Sequence, residues 1–403
     1  MSVFAAGRPR PAQQKVRPRS RECPDHRYEP FCGIFMTEIV GKRKPLTPII
    51  KAVGNFCNLR CSYCFYSRQD QSNQTVMSRQ MLESFLSQFF QLFAGPARFI
   101  WHGGEPLLAG VQFYQCAVDL QRKYCLRNQP VENFIQTNAT LINDRWARFF
   151  YENQFHVGVS IDGDILAHDS FRVDSRGTGS FLRVCSGLER LRSRGVPFGV
   201  VMVLNDRNAN RMREIFQFLT QQIGAKNISI NTFTDEAGYS QAGSAALKRG
   251  QFVKAIMDCI EQWPAEENGT LRLRELDGFV AGALGKRSRA CSFNGGCRNY
   301  FCVNYDGAVY PCDDFAGHPD MKLGDLTRES LVSILDGPAR ASIMHRFEAI
   351  HPECAGCQWY QACHNGCPGQ RVGGIEGRYA LCEDRKELFT YVKRSVDAYT
   401  CGA

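Results

Sequence analysis

The stretch Cys57-Asn58-Leu59-Arg60-Cys61-Ser62-Tyr63-Cys64-Phe65-Tyr66 decides the reading of this chain. Its three cysteines stand at the spacing C-x3-C-x2-C, directly after a short apolar run from Pro48 to Val53. Three thiolates can hold three corners of a 4Fe–4S cube, whereas most cluster sites supply four cysteines. The fourth iron then keeps an open coordination position, and open positions are where metals do chemistry. A structural zinc site is the competing reading, but zinc asks for a fourth ligand close by.

Outward from this stretch, short apolar, β-branched runs alternate with longer amphipathic ones from Pro48 to Thr232. The pattern predicts strands over 49–54, 98–102, 132–136, 156–161, 198–204 and 227–231. Between them it predicts helices near 78–93, 112–127, 143–153, 180–194 and 208–223, with Ser78, Asn143 and Asn208 as N-caps. Repeated βα units imply an α/β fold with a parallel sheet and right-handed crossovers. Six such units are fewer than a closed eightfold barrel holds.

In such folds the reactive groups gather in loops at the C-terminal ends of strands. The cysteine stretch follows the first strand and His102-Gly103-Gly104-Glu105-Pro106 the second. Gln136-Thr137-Asn138 follows the third, and Ser160-Ile161-Asp162-Gly163 ends the fourth. All four are expected at one mouth. Paired glycines after a strand let backbone approach a ligand without a Cβ clash, and Glu105 can receive a charged amine. Arg172 can pair with a carboxylate.

From Cys291 the texture changes to dense Cys, Gly and short segments, as in a domain organised by ligands rather than by a large core. Cys291 and Cys297 precede Cys312, and Cys354-x2-Cys357-x5-Cys363-x3-Cys367 and Cys382 follow. The organisation expected is a basic arm over 1–45, the barrel over 46–232, a helical bridge over 233–290, the cysteine-rich domain over 291–385 and a helix or tail over 386–403.

The cysteine stretch with its aromatic, and the Gly-Gly-Glu one βα unit later, resemble the signatures of the radical S-adenosylmethionine (radical SAM) enzymes. The resemblance implies that the six βα units form an open, partial (βα)6 barrel, and that SAM chelates the open iron and is cleaved by one electron to a 5′-deoxyadenosyl radical, which removes hydrogen from substrate. It implies SAM contacts at Gly103, Gly104, Glu105, Asn138, Ser160, Asp162 and Arg172, with Tyr63 and Tyr66 beside adenine or substrate. The later cysteines resemble the SPASM domain of enzymes that modify peptides and proteins. That resemblance implies two auxiliary 4Fe–4S clusters, one on Cys291, Cys297, Cys312 and Cys367, the other on Cys354, Cys357, Cys363 and Cys382. With Cys57, Cys61 and Cys64 this makes three clusters. Cys302 lies between two of these ligands and is a competing candidate.

Around Cys312-Asp313 the chain resembles anaerobic sulfatase-maturating enzymes, where an acid at this position is the proposed base. After hydrogen loss from a Cβ, removal of a proton and an electron completes a two-electron oxidation, and Asp313 could take the proton. Asp314 competes for that role. The chain departs from that family at His102, where Gln is common, and at Asn138-Ala139, where Asn-Gly is usual. His102 and the residues after it are familiar from enzymes that cross-link ribosomal peptides. The expected function is therefore a maturase acting on a peptide or protein, making formylglycine in a sulfatase or cross-linking a peptide side chain. An iron–sulfur or zinc redox or binding protein without SAM chemistry is the rival, and the Gly103-Gly104-Glu105 loop counts against it.

The chain has 403 residues, 19 of them cysteine, and a net charge of +9. Residues 1–45 hold ten Lys and Arg against four Asp and Glu, so +6 of that charge belongs to an Arg- and Pro-rich arm and the rest gives no basic surface for nucleic acid. A start at Met36 in place of Met1 would remove most of the arm. No apolar run is long enough to cross a bilayer and no export signal opens the chain, so so many cysteines point to clusters in a reducing cytoplasm rather than to disulfides. The expected electron donor is a flavodoxin or ferredoxin.

Overall fold

The computed structural model describes residues 43–64, 66, 75–234, 245–263 and 270–401. The expected N-terminal arm, up to residue 42, lies outside the described residues. The first six strands are β1 (Thr47–Lys51), β2 (Ala97–Trp101), β3 (Val131–Thr137), β4 (His156–Ser160), β5 (Phe198–Leu204) and β6 (Asn227–Thr232). They lie side by side in chain order, every neighbouring pair parallel. The connections are helical: α1 (Arg79–Leu92), α2 (Val111–Tyr124), α3 (Asp144–Glu152), α4 (Ile165–Asp169), α5 (Phe181–Arg194) and α6 (Met212–Gln217).

Local sequence accounts for most of these elements. Helix α1 buries Leu82, Phe85, Leu86, Phe89 and Phe90, one face at helical spacing, with Phe89 packed 4.9 Å from Phe99 of β2. Ser78 and Asn143 cap α1 and α3 by accepting the Met81 and Trp146 amides. Asn208 does not cap its helix. Its side chain turns back to accept from the Asn205 amide and donate to the Val203 carbonyl. The helix expected over 208–223 accordingly breaks into a tight turn, the short α6 and a wider π turn over Phe218–Gln222.

The sheet does not stop at the sixth strand. After α7 (Gln251–Glu261), β7 (Arg272–Leu273) joins β6 in parallel and leads into α8 (Arg274–Ala283). On the other edge, β8 (Tyr300–Asn304) pairs in parallel with the whole of β1, from Thr47↔Tyr300 to Lys51↔Asn304. Strands β9 (Ala308–Tyr310) and β10 (Gly324–Asp325) then add antiparallel. The cysteine-rich region was expected to be held by its ligands; instead its first strands extend the barrel sheet. One apolar core runs through both parts, including Phe85 and Phe99 as well as Phe301, Val303 and Phe389. The hairpin β8–β9 leads straight into Cys312 and Asp313.

A small polar group ties α2 to the sheet. Asn133 on β3 accepts from the Trp101 indole and the Gln121 amide, both at 2.9 Å, and donates back to Gln121. All three residues are buried. Replacing Asn133 by Leu leaves the indole N–H and the glutamine unanswered, each costing roughly 1–3 kcal/mol. Asn133→Leu should therefore lower the unfolding free energy by about 2–4 kcal/mol, read from urea denaturation curves.

Candidate active site

Three strand-end loops are laced together where the cysteine stretch lies. A Cβ on Gly104 would overlap the Phe56 carbonyl oxygen, and the Glu105 amide donates to that same oxygen at 2.8 Å. Gly103 has φ +89°, and a Cβ there would stand 2.8 Å from the Lys51 stem. Only glycine lets the loop after β2 lie this close to the loop after β1. The Glu105 carboxylate points inward, accepting from the Leu107 amide, the Thr137 hydroxyl at 2.7 Å and the Asn138 amide at 2.8 Å. Burial pushes its pKa up to about 7, against these hydrogen bonds. Asn138 donates to Asn58 at 2.9 Å and toward Cys57 Sγ at 3.8 Å, closing the circuit.

Asn138 is followed by Ala139, held at φ +60°. A non-glycine residue in this left-handed region costs about 1–2 kcal/mol. Ser160 accepts from Gln136 at 2.9 Å.

Asp162 and Arg172, the expected SAM contacts at the end of β4 and beyond it, are buried against each other. Asp162 Oδ2 accepts Arg172 Nε at 2.9 Å and Oδ1 accepts Nη2 at 3.0 Å. The remaining lone pairs accept the Tyr63 hydroxyl at 2.5 Å and the Val203 amide at 2.9 Å, so the carboxylate is fully engaged. Burial alone would raise its pKa; Arg172 outweighs burial and keeps it below the usual carboxylate range. Tyr63 likewise serves this pair. Behind it, His168 Nδ1 accepts the Asp162 amide at 3.4 Å and Nε2 meets Ser180 Oγ at 2.9 Å. These residues shape the loop from beneath.

Asp313 reaches the same place from the far side. Its Oδ2 accepts the Tyr66 hydroxyl at 3.2 Å and lies 3.2 Å from His102 Nδ1, out of line for a hydrogen bond. Its Oδ1 lies 3.2 Å from Cys312 Sγ. Of the two adjoining carboxyls, Asp313 is held below the usual carboxylate range: burial is outweighed by His102, Cys312 and Lys51. Asp314 is pushed up to about 7 by burial and by the charge on Asp313. Lys51 is the residue that sequence reasoning missed. It ends β1 at 1% exposure, its ammonium 2.7 Å from Asn55 Oδ1 and 3.7 Å above the Tyr66 ring. Burial lowers its pKa, opposed by the neighbouring Cys302, Asp313, Cys64 and Asp314. Its only sequence signal was a lysine ending an apolar strand.

The cysteines gather in three sets. Cys57, Cys61 and Cys64 lie within one another's field; burial, first, and their mutual charge raise Cys57 and push Cys61 up to about 12. Cys297 neighbours Cys291, and Cys367 neighbours Cys291, Cys297 and Cys312. Cys354, Cys357, Cys363 and Cys382 line one cavity with Trp359, Tyr360 and Phe389. Cys302, buried on β8, instead has Lys51 and Asp313 as neighbours. Among the described residues no three donors converge on a single ion; a cube binds each thiolate at a different iron and does not need them to. Crowded sulfur donors of this kind fit soft iron–sulfur ligation, since each thiol holds its proton until a metal replaces it.

A sheet of parallel βα units with a three-cysteine loop at its mouth, followed by eight further cysteines, defines a radical SAM enzyme with auxiliary clusters. The chain matches the Radical SAM superfamily over residues 52–219 and the iron–sulfur cluster-binding SPASM domain over 291–358. It is 30% identical over 379 residues to the serine-type anaerobic sulfatase-maturating enzyme of Bacteroides thetaiotaomicron, covering 88% of this chain and 91% of that one. It is 30% identical over 360 residues to the cysteine-type enzyme of Clostridium perfringens, covering 86% and 96%. The solved structure of native anSMEcpe with bound AdoMet superposes with a TM-score of 0.80 at 28% identity, covering 89% of this chain and 100% of that one. The chain belongs to the anaerobic sulfatase-maturating enzyme family of radical SAM/SPASM proteins. It is an enzyme that carries a SAM-binding 4Fe–4S cluster and two auxiliary ones, and it modifies a peptide or protein through a 5′-deoxyadenosyl radical.

Gly104→Ala should part the two loops. Iron should fall from about twelve toward about eight per chain, the value for two intact cubes, with SAM binding lost in equilibrium dialysis. A second expectation concerns pH. His168 is pushed down to about 3 by burial and by Arg172, from an ordinary value of 6.5. Between those values the native state binds fewer protons than the unfolded one, so stability falls as pH drops through this window. The slope from this group is at most about 1.4 kcal/mol per pH unit. Urea midpoints at about pH 7.5 and about pH 5.5 should differ more in the wild type than in His168→Gln.

Proposed function

We propose that this enzyme oxidises the Cβ of a cysteine or serine in a sulfatase to formylglycine. Full-length similarity to both serine-type and cysteine-type sulfatase-maturating enzymes supports the substrate class. So does similarity at a TM-score of 0.78 and 27% identity to native anSMEcpe with bound AdoMet and Cp18Cys peptide, covering 89% of this chain and 99% of that one. The observation that carries the reading is the placement of Asp313, a half-buried carboxyl that accepts from the Tyr66 hydroxyl at 3.2 Å directly after Cys312.

In this reading Cys57, Cys61 and Cys64 hold the SAM-binding cluster, and the two later quartets hold the auxiliary ones. When bound, these groups supply the hydrogen-abstracting radical and a one-electron acceptor. Gly103 and Gly104 give the cofactor access to backbone amides, and Glu105 fixes the end of β3 behind them. Asn138 and Ser160 edge the same mouth. Asp313 accepts the proton that leaves with the second half of the oxidation, at its Oδ2. His102 stands beside that oxygen, and Tyr66 keeps the carboxylate aimed. Asp162, Arg172 and Tyr63 hold the loops in place. Electrons come from a flavodoxin or ferredoxin in a reducing cytoplasm.

Anaerobic reconstitution with reductant, SAM and paired sulfatase peptides bearing Cys or Ser tests this. Mass spectrometry should show formylglycine in at least one, with stoichiometric 5′-deoxyadenosine. Formation of 5′-deoxyadenosine with both peptides unaltered would remove the sulfatase assignment. Asp313→Asn should still cleave SAM but lower the yield of formylglycine by about 100-fold or more, the usual contribution of a positioned base.

A further inference from the structure

Arg385 is buried to 3% exposure between the two auxiliary cysteine sets. Its Nη1 donates toward Cys363 Sγ at 3.6 Å and to the Ser292 carbonyl at 2.8 Å; Nη2 reaches the Tyr379 hydroxyl at 3.3 Å. The guanidinium is sandwiched between the Phe293 and Tyr379 rings, at 4.3 and 4.2 Å. Nε is buried without a partner. Among the described residues no carboxylate lies within ion-pair distance of it. An arginine stays charged, and an uncompensated buried charge costs several kcal/mol. Something anionic has to stand beside it.

Other cations in this region are already answered or shared. Arg378 hydrogen-bonds Cys382 but is also paired with Glu353 and Glu383; Lys386 pairs with Glu383, and Arg274 with Glu275. Arg371 donates to the Asn365, Ile375 and Phe347 carbonyls and lies near thiols of both sets. Around the first set the near neighbours are carboxyls: Asp313 at 3.2 Å from Cys312 and Asp314 at 3.6 Å from Cys367. Positive charge and N–H···S hydrogen bonds favour the reduced, more negative state of a cluster.

We propose that Arg385 is the counter-ion of the auxiliary cluster held by Cys354, Cys357, Cys363 and Cys382, and that it sets this cluster above its neighbour in reduction potential. The inference rests on the ligand assignment given under the proposed function. With both clusters bound, transfer of one electron from the first to the second would then be downhill, with no proton moved and no bond changed, and the electron released on substrate oxidation would be drawn away from the radical site.

Potentiometric titration of the reconstituted full chain, followed by electron paramagnetic resonance, tests this. Two auxiliary signals of different potential are expected. In Arg385→Met the higher one should drop so that its reduced-to-oxidised ratio at fixed poise falls about tenfold, equivalent to about 59 mV. Arg385→Lys should restore most of it. Loss of about four irons in Arg385→Met but not in Arg385→Lys would also support the counter-ion role. Full iron with unchanged potentials in Arg385→Met, or equal iron loss in both variants, would overturn it. A wild type holding only one cluster, or zinc, would instead overturn the ligand assignment.

Discussion

The structure of the site depends on one close approach, the Phe56 carbonyl lying where any side chain on Gly104 would stand. Because that space is empty, the Glu105 amide can meet the same oxygen and the cysteine loop can lie on the loop after β2. The rest follows as a closed circuit of hydrogen bonds. Glu105 fixes the end of β3, and Asn138 returns from there to Asn58 and Cys57. Three strands that are remote in sequence thus fix one set of thiols, with little freedom to adjust independently.

Burial is the second theme. Thiols, carboxyls, a lysine and several arginines have been taken out of water, where each needs an opposite charge or a hydrogen bond. Some find it in the protein, as Asp162 does in Arg172 and Tyr63. Lys51 faces carboxylates and thiols across the Tyr66 ring. Others, like the crowded cysteines, are answered by metal. The polar interior is therefore organised around charge that arrives only when the enzyme is assembled.

Much of this was legible in the sequence because the signals were local. Strand periodicity, the caps at Ser78 and Asn143, and the position of each motif after its strand were all readable within about a dozen residues. Ala139 stood out in the sequence, and its φ of +60° is a conformation that glycine adopts without strain. What escaped depends on long-range pairing. Nothing around Tyr300 says that β8 lies along β1, and nothing around Lys51 says which carboxylates it will meet. Asp162 and Arg172 occupy the expected loops, yet their orientation is decided by Tyr63 and Val203, which no spacing rule connects to them.

The pairing of β8 with β1 has a consequence for how such an enzyme is put together. The strand that carries the radical-generating loop has its outer edge covered by the region that holds the auxiliary sites. Without that cover β1 would present an unpaired edge, the usual template for aggregation. The barrel is thus not a detachable module, because the first and last thirds of the chain share one sheet and one core. A chain ending before β8 would therefore lose the later cysteines and, with them, the cover on the strand that leads into Cys57, Cys61 and Cys64.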